Sequence, residues 1–397
     1  MNPLISRKEF LLSVPLASML LTGCKKGARP AEKTAEGLTK VRVGFIGITC
    51  EAPIFCAIEN GFFREQGLEP ELVKCDWSKY KDVLALGGYD ITHHLIMYFL
   101  KPIEQGLNVK FTAGIHKGCL RVQAPLKGNI HTVADLRGKK IGVPGMGTPP
   151  FIFANRVIGA HGIDARREIE WRVYPAGELG LAMQKGEIEA CANSEPIGTL
   201  LLAQGLVRNV ADQAKDHPYS DEYCCAVIAN GAWLTVNKEV GAAATRALLK
   251  GAKWVNENPR AAARLSVEKK YLASNPELNT TAIGNLSYIP SVEGGKAAVR
   301  SAAAEMKTAG MLSASTDVDE LARKAFIHLD GVTDGWIARL NVPRVPGGQV
   351  PDDQPMRVAF ELATEGTPRE LATCCAPASR VIPRPGLSEA SMVAHTP

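Results

Sequence analysis

The chain lacks a large charge of either sign. Its 46 Lys and Arg stand against 41 Asp and Glu, a formal net charge of +5 over 397 residues. That balance makes no broad basic face, and no module interleaving aromatic with basic residues accompanies it. Nucleic acid is therefore excluded as an expected partner. No apolar run approaches the ~20 residues that a membrane-spanning helix requires. A complete nucleotide loop is missing as well. The stretch "GVPGMGTPPF" from Gly142 has two glycines at P-loop spacing, but Thr148 stands where the loop lysine must reach the phosphates. Read instead as G-x-G-x-x-G, it ends in Pro150 where the third glycine would allow close helix–strand packing. No cofactor is expected. A disulfide framework is absent too: setting Cys24 aside leaves nine of the ten cysteines, an odd number, read as free thiols that pack like small apolar groups.

The N-terminus carries more information. Arg7 and Lys8 precede a short apolar run, Phe10 to Leu21, which reads as a secretory signal. It ends in Leu21-Thr22-Gly23-Cys24, which resembles the bacterial lipobox. That resemblance implies cleavage before Cys24, a lipid on its thiol and a polar linker over 25–40. At the other end, nine of the 25 prolines fall in the last 57 residues without apolar periodicity, so 338–397 reads as a disordered tail that includes Cys374-Cys375.

Between these ends, strands and helices alternate, which predicts an α/β chain with parallel sheets and helical crossovers. "VRVGFIG", "EPELVKC" and "GGYDITH" read as strands, each followed by a helical pattern. The helix in "LIMYFLKPIEQG" is expected to bend or stop early at Pro102. "NVKFTAGIHKGCLRVQA" is a long β-rich run. The cycle restarts with the strand "KKIGVP", the glycine loop and a helix over 149–162. Strands at "IEWRVYP", "IEACANSEP" and "VRNVAD" follow, and "YCCAVIANGAWLTVN" adds β structure. From Lys238 the chain turns helical. Two rounds predict two α/β lobes, 41–118 with 232–337 and 119–231, with the C-terminal helices returning to the first.

The motifs "PIFCAIENGFFREQGLEPELV", "TVADLRGKKIGVPGMGTPPFIFANRVIGAHGID", "AMQKGEIEACANSEP" and "KGAKWVNENPRAA" resemble the substrate-binding proteins of ABC importers in the nitrate/sulfonate/taurine/thiamine-precursor group. The resemblance covers about 41–336. It implies a type II periplasmic-binding-protein fold, two lobes joined by two crossing segments near 118–124 and 226–233, closing on a small solute. It also implies a monomer that delivers the solute to an ABC permease with its ATPase and transforms nothing. In open α/β sheets, ligands sit beyond the carboxyl ends of strands. The loops there supply the candidate ligand-binding residues Thr49, Cys50, Glu51, Trp77, His93, His94, Gly145, Gly147, Thr148, Asn193 and Glu195. Helix N-termini beside them suit a small anion or polar heterocycle. Glu51 and Glu195 would repel an anion unless each is paired with a nearby base; alternatively they would select an amino or pyrimidine group.

His93, His94, His116 and Cys119 also raise a metal reading. No second C-x-x-C or H-x-x-H supports it, so they are read as polar cleft or core residues and no metal is assigned. Tyr223 is divided between the cleft and the core; Trp171, Trp233 and Trp254 are read as core. Enzymes on this fold, of the pyrimidine-precursor or menaquinone-pathway kind, or a metal-responsive binding module, are the alternatives. Cys224-Cys225 is a poor match to the clustered cysteines of the former.

Overall fold

A computed structural model describes residues 29–349. The signal sequence, Cys24 and the segment from 350 on, with Cys374 and Cys375, lie outside the described residues. The strands are β1 Thr39–Phe45, β2 Leu68–Lys74, β3 Ile91–Leu95, β4 Val109–Lys117, β5 Leu120–Pro125, β6 Lys140–Val143, β7 Glu170–Val173, β8 Ala190–Ser194, β9 Val207–Asp212 and β10 Tyr223–Asn230. The first-lobe helices before the crossing are α1 Ala52–Glu59, α2 Phe62–Glu65, α3 Tyr80–Ala85 and α4 Ile96–Glu104; the second lobe holds α5 Pro149–Ala160, α6 Leu179–Gln184 and α7 Ile197–Ala203. After β10 come α8 Gly231–Val236, α9 Lys238–Glu257, α10 Pro259–Glu268, α11 Pro276–Gly284, α12 Val292–Thr308, α13 Val318–Ala325 and α14 Asp334–Arg339.

The expected α/β architecture holds, as two five-stranded sheets. One has the order β2-β1-β3-β10-β4, the other β7-β6-β8-β5-β9. β1 pairs in parallel with β2 and β3, and β6 with β7 and β8, through helical crossovers; β10, the last strand to enter the first sheet, is antiparallel to β3 and β4, and β5, the first to enter the second, is antiparallel to β8 and β9. The central strands are apolar on both faces because helices cover both; all eight residues of β10 are buried.

β10 belongs to the first sheet, so the second crossing lies between Asp212 and Tyr223, ahead of the expected boundary at 231. The long β-rich run is two strands, each in a different sheet, broken at Gly118-Cys119. Gly118 has φ +71, and a Cβ there would lie 2.6 Å from the Ala214 Cβ. The two crossings therefore touch backbone to side chain at this point. The segment "GAWLTV", expected to be β, is helix α8, because the Asn230 side chain accepts from the Trp233 N–H and turns the chain out of the sheet. Pro102 does not stop α4, which runs two residues beyond it.

The edge of β4 is covered by residues 287–291. Gly114 and Ser291 exchange backbone hydrogen bonds of 2.8 and 3.1 Å, and Lys117 and Ser287 do so at 2.9 and 3.2 Å. Parts of both expected flexible segments are docked. Asn237 holds the Ala31 N–H and the Arg29 carbonyl, and Asn258 accepts from the Val345 N–H and donates to the Pro343 carbonyl. Among the described residues no helix is long and apolar enough to cross a membrane.

Replacing Gly118 with alanine adds left-handed backbone strain of ~1–2 kcal/mol to a collision with Ala214 that neither crossing can relieve freely. Gly186 has a similar φ of +72 with nothing near its missing Cβ. Urea unfolding should show Gly118→Ala losing clearly more stability than Gly186→Ala; equal losses would mean the crossings do not press on each other.

Candidate functional site

The cleft between the lobes has a volume of about 720 Å³. Trp77, Lys81, Tyr98 and Lys101 line it from the first lobe, with Met306 and Met311 from α12 and the loop after it. The second lobe contributes Met146, Gly147, Thr148, Phe151, Arg166 and Trp171. Three basic side chains line it and no carboxylate does. Lys81 lies over the Tyr98 ring at 5.4 Å, and Phe151 meets Trp171 edge-on at 4.8 Å. A second depression of about 440 Å³ lies near the start of β1, around Arg42 and Asp90, which pair with each other.

The expected loops do end where the cleft begins, but their residues separate into three groups. Trp77, Gly147 and Thr148 line the cleft. Gly147 has φ +73 and no atom within 4 Å of where a Cβ would stand, so it faces open space. Thr148 starts α5, yet its hydroxyl donates to the Gly145 carbonyl at 2.6 Å instead of capping the helix, which fixes the glycine turn. Gly145 is thus held as part of the turn.

A second group is buried and internally paired. Glu51 accepts backbone N–H bonds from Ile46, Gly47 and Ile48 at 2.7–3.2 Å. Burial raises its pKa to about 7, and those three donors pull against the rise. Thr49 donates to Asn279 at 2.8 Å. Glu195 forms a buried ion pair with Arg121, which also reaches Asp212 at 3.3 Å, and it accepts from the Thr199 hydroxyl and N–H at 2.9 and 3.0 Å. Asn193 donates to Gln123 at 2.8 Å. Both carboxylates that would repel an anion are thus occupied, Glu195 by a base and Glu51 by backbone.

The third group is the cysteines and histidines. Successive strand residues face opposite sides of a sheet, so His93 and His94 part company on β3. His94 stacks on Tyr98 with ring centroids 5.2 Å apart and meets Trp77 edge-on at 5.3 Å, forming the layer behind the cleft wall. His93 turns the other way and bonds the Cys50 carbonyl at 2.8 Å, near His116. Burial, first among the causes, lowers the pKa of all three imidazoles, His94 to about 3, so they are neutral. Tyr223 points away from the cleft and donates to the Ile289 carbonyl at 2.6 Å. Trp254 and Trp233 are core. Trp171, expected to be core, lines the cleft because its indole N–H bonds the Ala165 carbonyl and swings the ring outward.

Sequence reasoning missed Lys81, Tyr98, Lys101, Phe151 and Arg166. They lie on helices, or on the turn after one, behind the loops. The helix-face periodicity of α4 around Tyr98 was the available signal. It also missed Arg156, whose side chain is 1% exposed. From α5 it donates to Glu305 on α12 at 2.8 Å and to Glu222 in the second crossing at 2.9 Å, so it ties both lobes and the hinge together.

The profile of the NMT1-like family matches residues 34–268. The chain belongs to the NMT1-like family. It is 22% identical over 334 residues to the nitrate/nitrite binding protein NrtA of Nostoc sp. strain PCC 7120, covering 72% of this chain and 75% of that one. Among solved structures it is similar to the periplasmic nitrate-binding protein NrtA of Synechocystis PCC 6803, at TM-score 0.61 and 18% identity over 73% of this chain and 86% of that one. It is also similar to the alkanesulfonate-binding protein SsuA of Xanthomonas axonopodis pv. citri bound to MOPS, at TM-score 0.60 and 15% identity over 75% and 100%. The two-lobed arrangement of this NMT1-like chain is the periplasmic-binding-protein fold.

Removing Arg156 leaves Glu222 and Glu305 facing each other without their base. Breaking a buried pair costs ~3–5 kcal/mol, and less here because Glu305 is 30% exposed. Arg156→Ala should unfold at lower urea and have a larger radius of gyration by small-angle scattering. An unchanged radius would show that the lobes stay together by other contacts.

Proposed function

We propose that this protein is an extracytoplasmic solute-binding lipoprotein. It captures a small organic anion by closure of its lobes and delivers it to an ABC permease and its ATPase. The observation that carries the reading is the interlobe cleft: aromatic walls from both lobes, three cations and no lining carboxylate. That chemistry suits a sulfonate or carboxylate on an apolar or aromatic body better than a bare oxyanion. The named binding activities of the NrtA and SsuA relatives, nitrate and alkanesulfonate, fall in the same broad class of small anions. Anchoring through lipidated Cys24, outside the cytoplasmic membrane, follows from the lipobox resemblance. No turnover is expected.

In this reading Trp77 and Trp171 grip the body of the solute, and Lys81, Lys101 and Arg166 neutralise its head. Gly147 leaves room for it beside the N-terminus of α5. A solute that touches both lobes favours the closed state only through that differential contact. Glu51, Glu195, Asn193 and Thr49 act from behind, by holding the loops.

A thermal-shift screen with alkyl and aryl sulfonates, aromatic carboxylates, nitrate, bicarbonate and pyrimidines tests the reading. A true solute at 100 times its Kd raises stability by ~2.7 kcal/mol. Trp77→Ala should weaken binding roughly 3- to 10-fold through lost stacking. A preference for nitrate over every organic anion, or recovery of a chemically changed solute, would overturn it.

A further inference from the structure

Six side chains meet at the junction of the lobes, separate from the cleft lining: Cys50, His93, His116, Cys119, Cys224 and Cys225. They come from five places in the chain: the loop after β1, strand β3, strand β4, the β4–β5 turn and strand β10. Each is at most 3% exposed. The ligating atoms of Cys50, His93 and His116 all lie within 4.8 Å of one another, and so do those of His116, Cys224 and Cys225. His116 is common to both sets. The Cys224 thiol sits 3.4 Å from His116 Nδ1 and donates to the Gly118 carbonyl at 2.7 Å.

Buried thiols usually fill space as small apolar groups. Two observations go beyond that. His93 Nδ1 and His116 Nε2 are buried with no hydrogen-bond partner among the described residues. An unmet buried polar atom costs ~1–3 kcal/mol, so two in one cluster need a reason. The unmet atoms are lone-pair or N–H nitrogens set among four free thiols, which is the donor mixture of soft cations.

We propose that this cluster binds one closed-shell thiophilic cation, zinc(II) or copper(I), with His116 as the ligand common to its two halves. Each ligating thiol releases its proton to solvent, each imidazole gives a lone pair, and no electron changes hands. The cation would fix the floor on which the crossings meet, since Cys119 and Cys224 flank Gly118. The inference does not rest on the solute reading. Its test needs neither solute nor importer, so either can fail alone.

The test is an anaerobic titration of the full chain, reduced and stripped with chelator, with cobalt(II) as the probe. We expect thiolate-to-cobalt charge transfer and the intense visible bands of a tetrahedral site, saturating at one equivalent and displaced by zinc(II) or copper(I). A chain with Cys24, Cys75, Cys374 and Cys375 replaced by serine should behave identically. His116→Gln should weaken binding by 100-fold or more, and Cys50→Ser or Cys225→Ser should weaken it too, each checked for folding by thermal melt. Should those variants fail to fold, wild-type protein alkylated with and without metal gives the answer independently: protection should map to Cys50, Cys224 and Cys225. Lack of stoichiometric binding by the wild type, loss of binding in the four-serine chain, or protection confined to other cysteines would each overturn the proposal.

Discussion

The contact between Gly118 and Ala214 is the constraint from which the rest of the molecule follows. Two sheets share one chain, and among the described residues the chain passes between them at two places, which meet here. Because the crossings touch, whatever stands beside them is buried and close-packed. β4 and β10 are neighbours in the first sheet, so the residues at their hinge ends, His116 and Cys224-Cys225, must face each other. The first sheet then brings His93 alongside on β3 and Cys50 from the loop after β1. The thiol–imidazole cluster is a consequence of topology acting on six residues scattered over 176 positions.

Two networks of polar groups near this junction close on themselves. Arg121, Glu195, Asp212 and Thr199 satisfy one another, as do Arg156, Glu222, Glu305 and Ser301. Such networks stabilise little in net terms, because desolvation offsets the attraction, but breaking one member is costly. They therefore define a geometry more than they add stability. Arg121 holds the loop carrying the second lobe's Asn193 and Glu195, while Arg156 links α5 of the second lobe to α12 and to the second crossing. Beside the cleft, Glu104 pairs with Lys101 and Asp82 lies 3.8 Å from Lys81, so neither carboxylate lines it.

Much of the fold was legible in the sequence. The alternation of strands and helices, the glycine turn at 145–147 and the restart of the cycle gave two α/β lobes, and the motifs gave the family. What was read less well has physical causes. "GAWLTV" looks β-prone, but an Asn230 side chain caps it into a helix. The assignment of β10 to the second lobe failed because an antiparallel strand returning to a distant sheet leaves no local mark. Helix α12 buries a face made mostly of alanine and glycine, so its periodic positions carry few large apolar residues and it was passed over.

The sequence by itself determined the architecture and the loops that reach the cleft, because hydrophobic period and turn residues act over short stretches. It also put Gly147 and Trp77 on loops that line the cleft. Only the tertiary structure decided how those residues divide. The pleat of β3 sends His93 toward the cysteines and His94 toward Trp77, though they are adjacent in the chain. Burial turns Glu51 and Glu195 from candidate ligands into pillars of their own loops. Charge and spacing along a chain do not say which side of a strand faces which neighbour, and that choice set the chemistry of the cleft and of the junction beneath it.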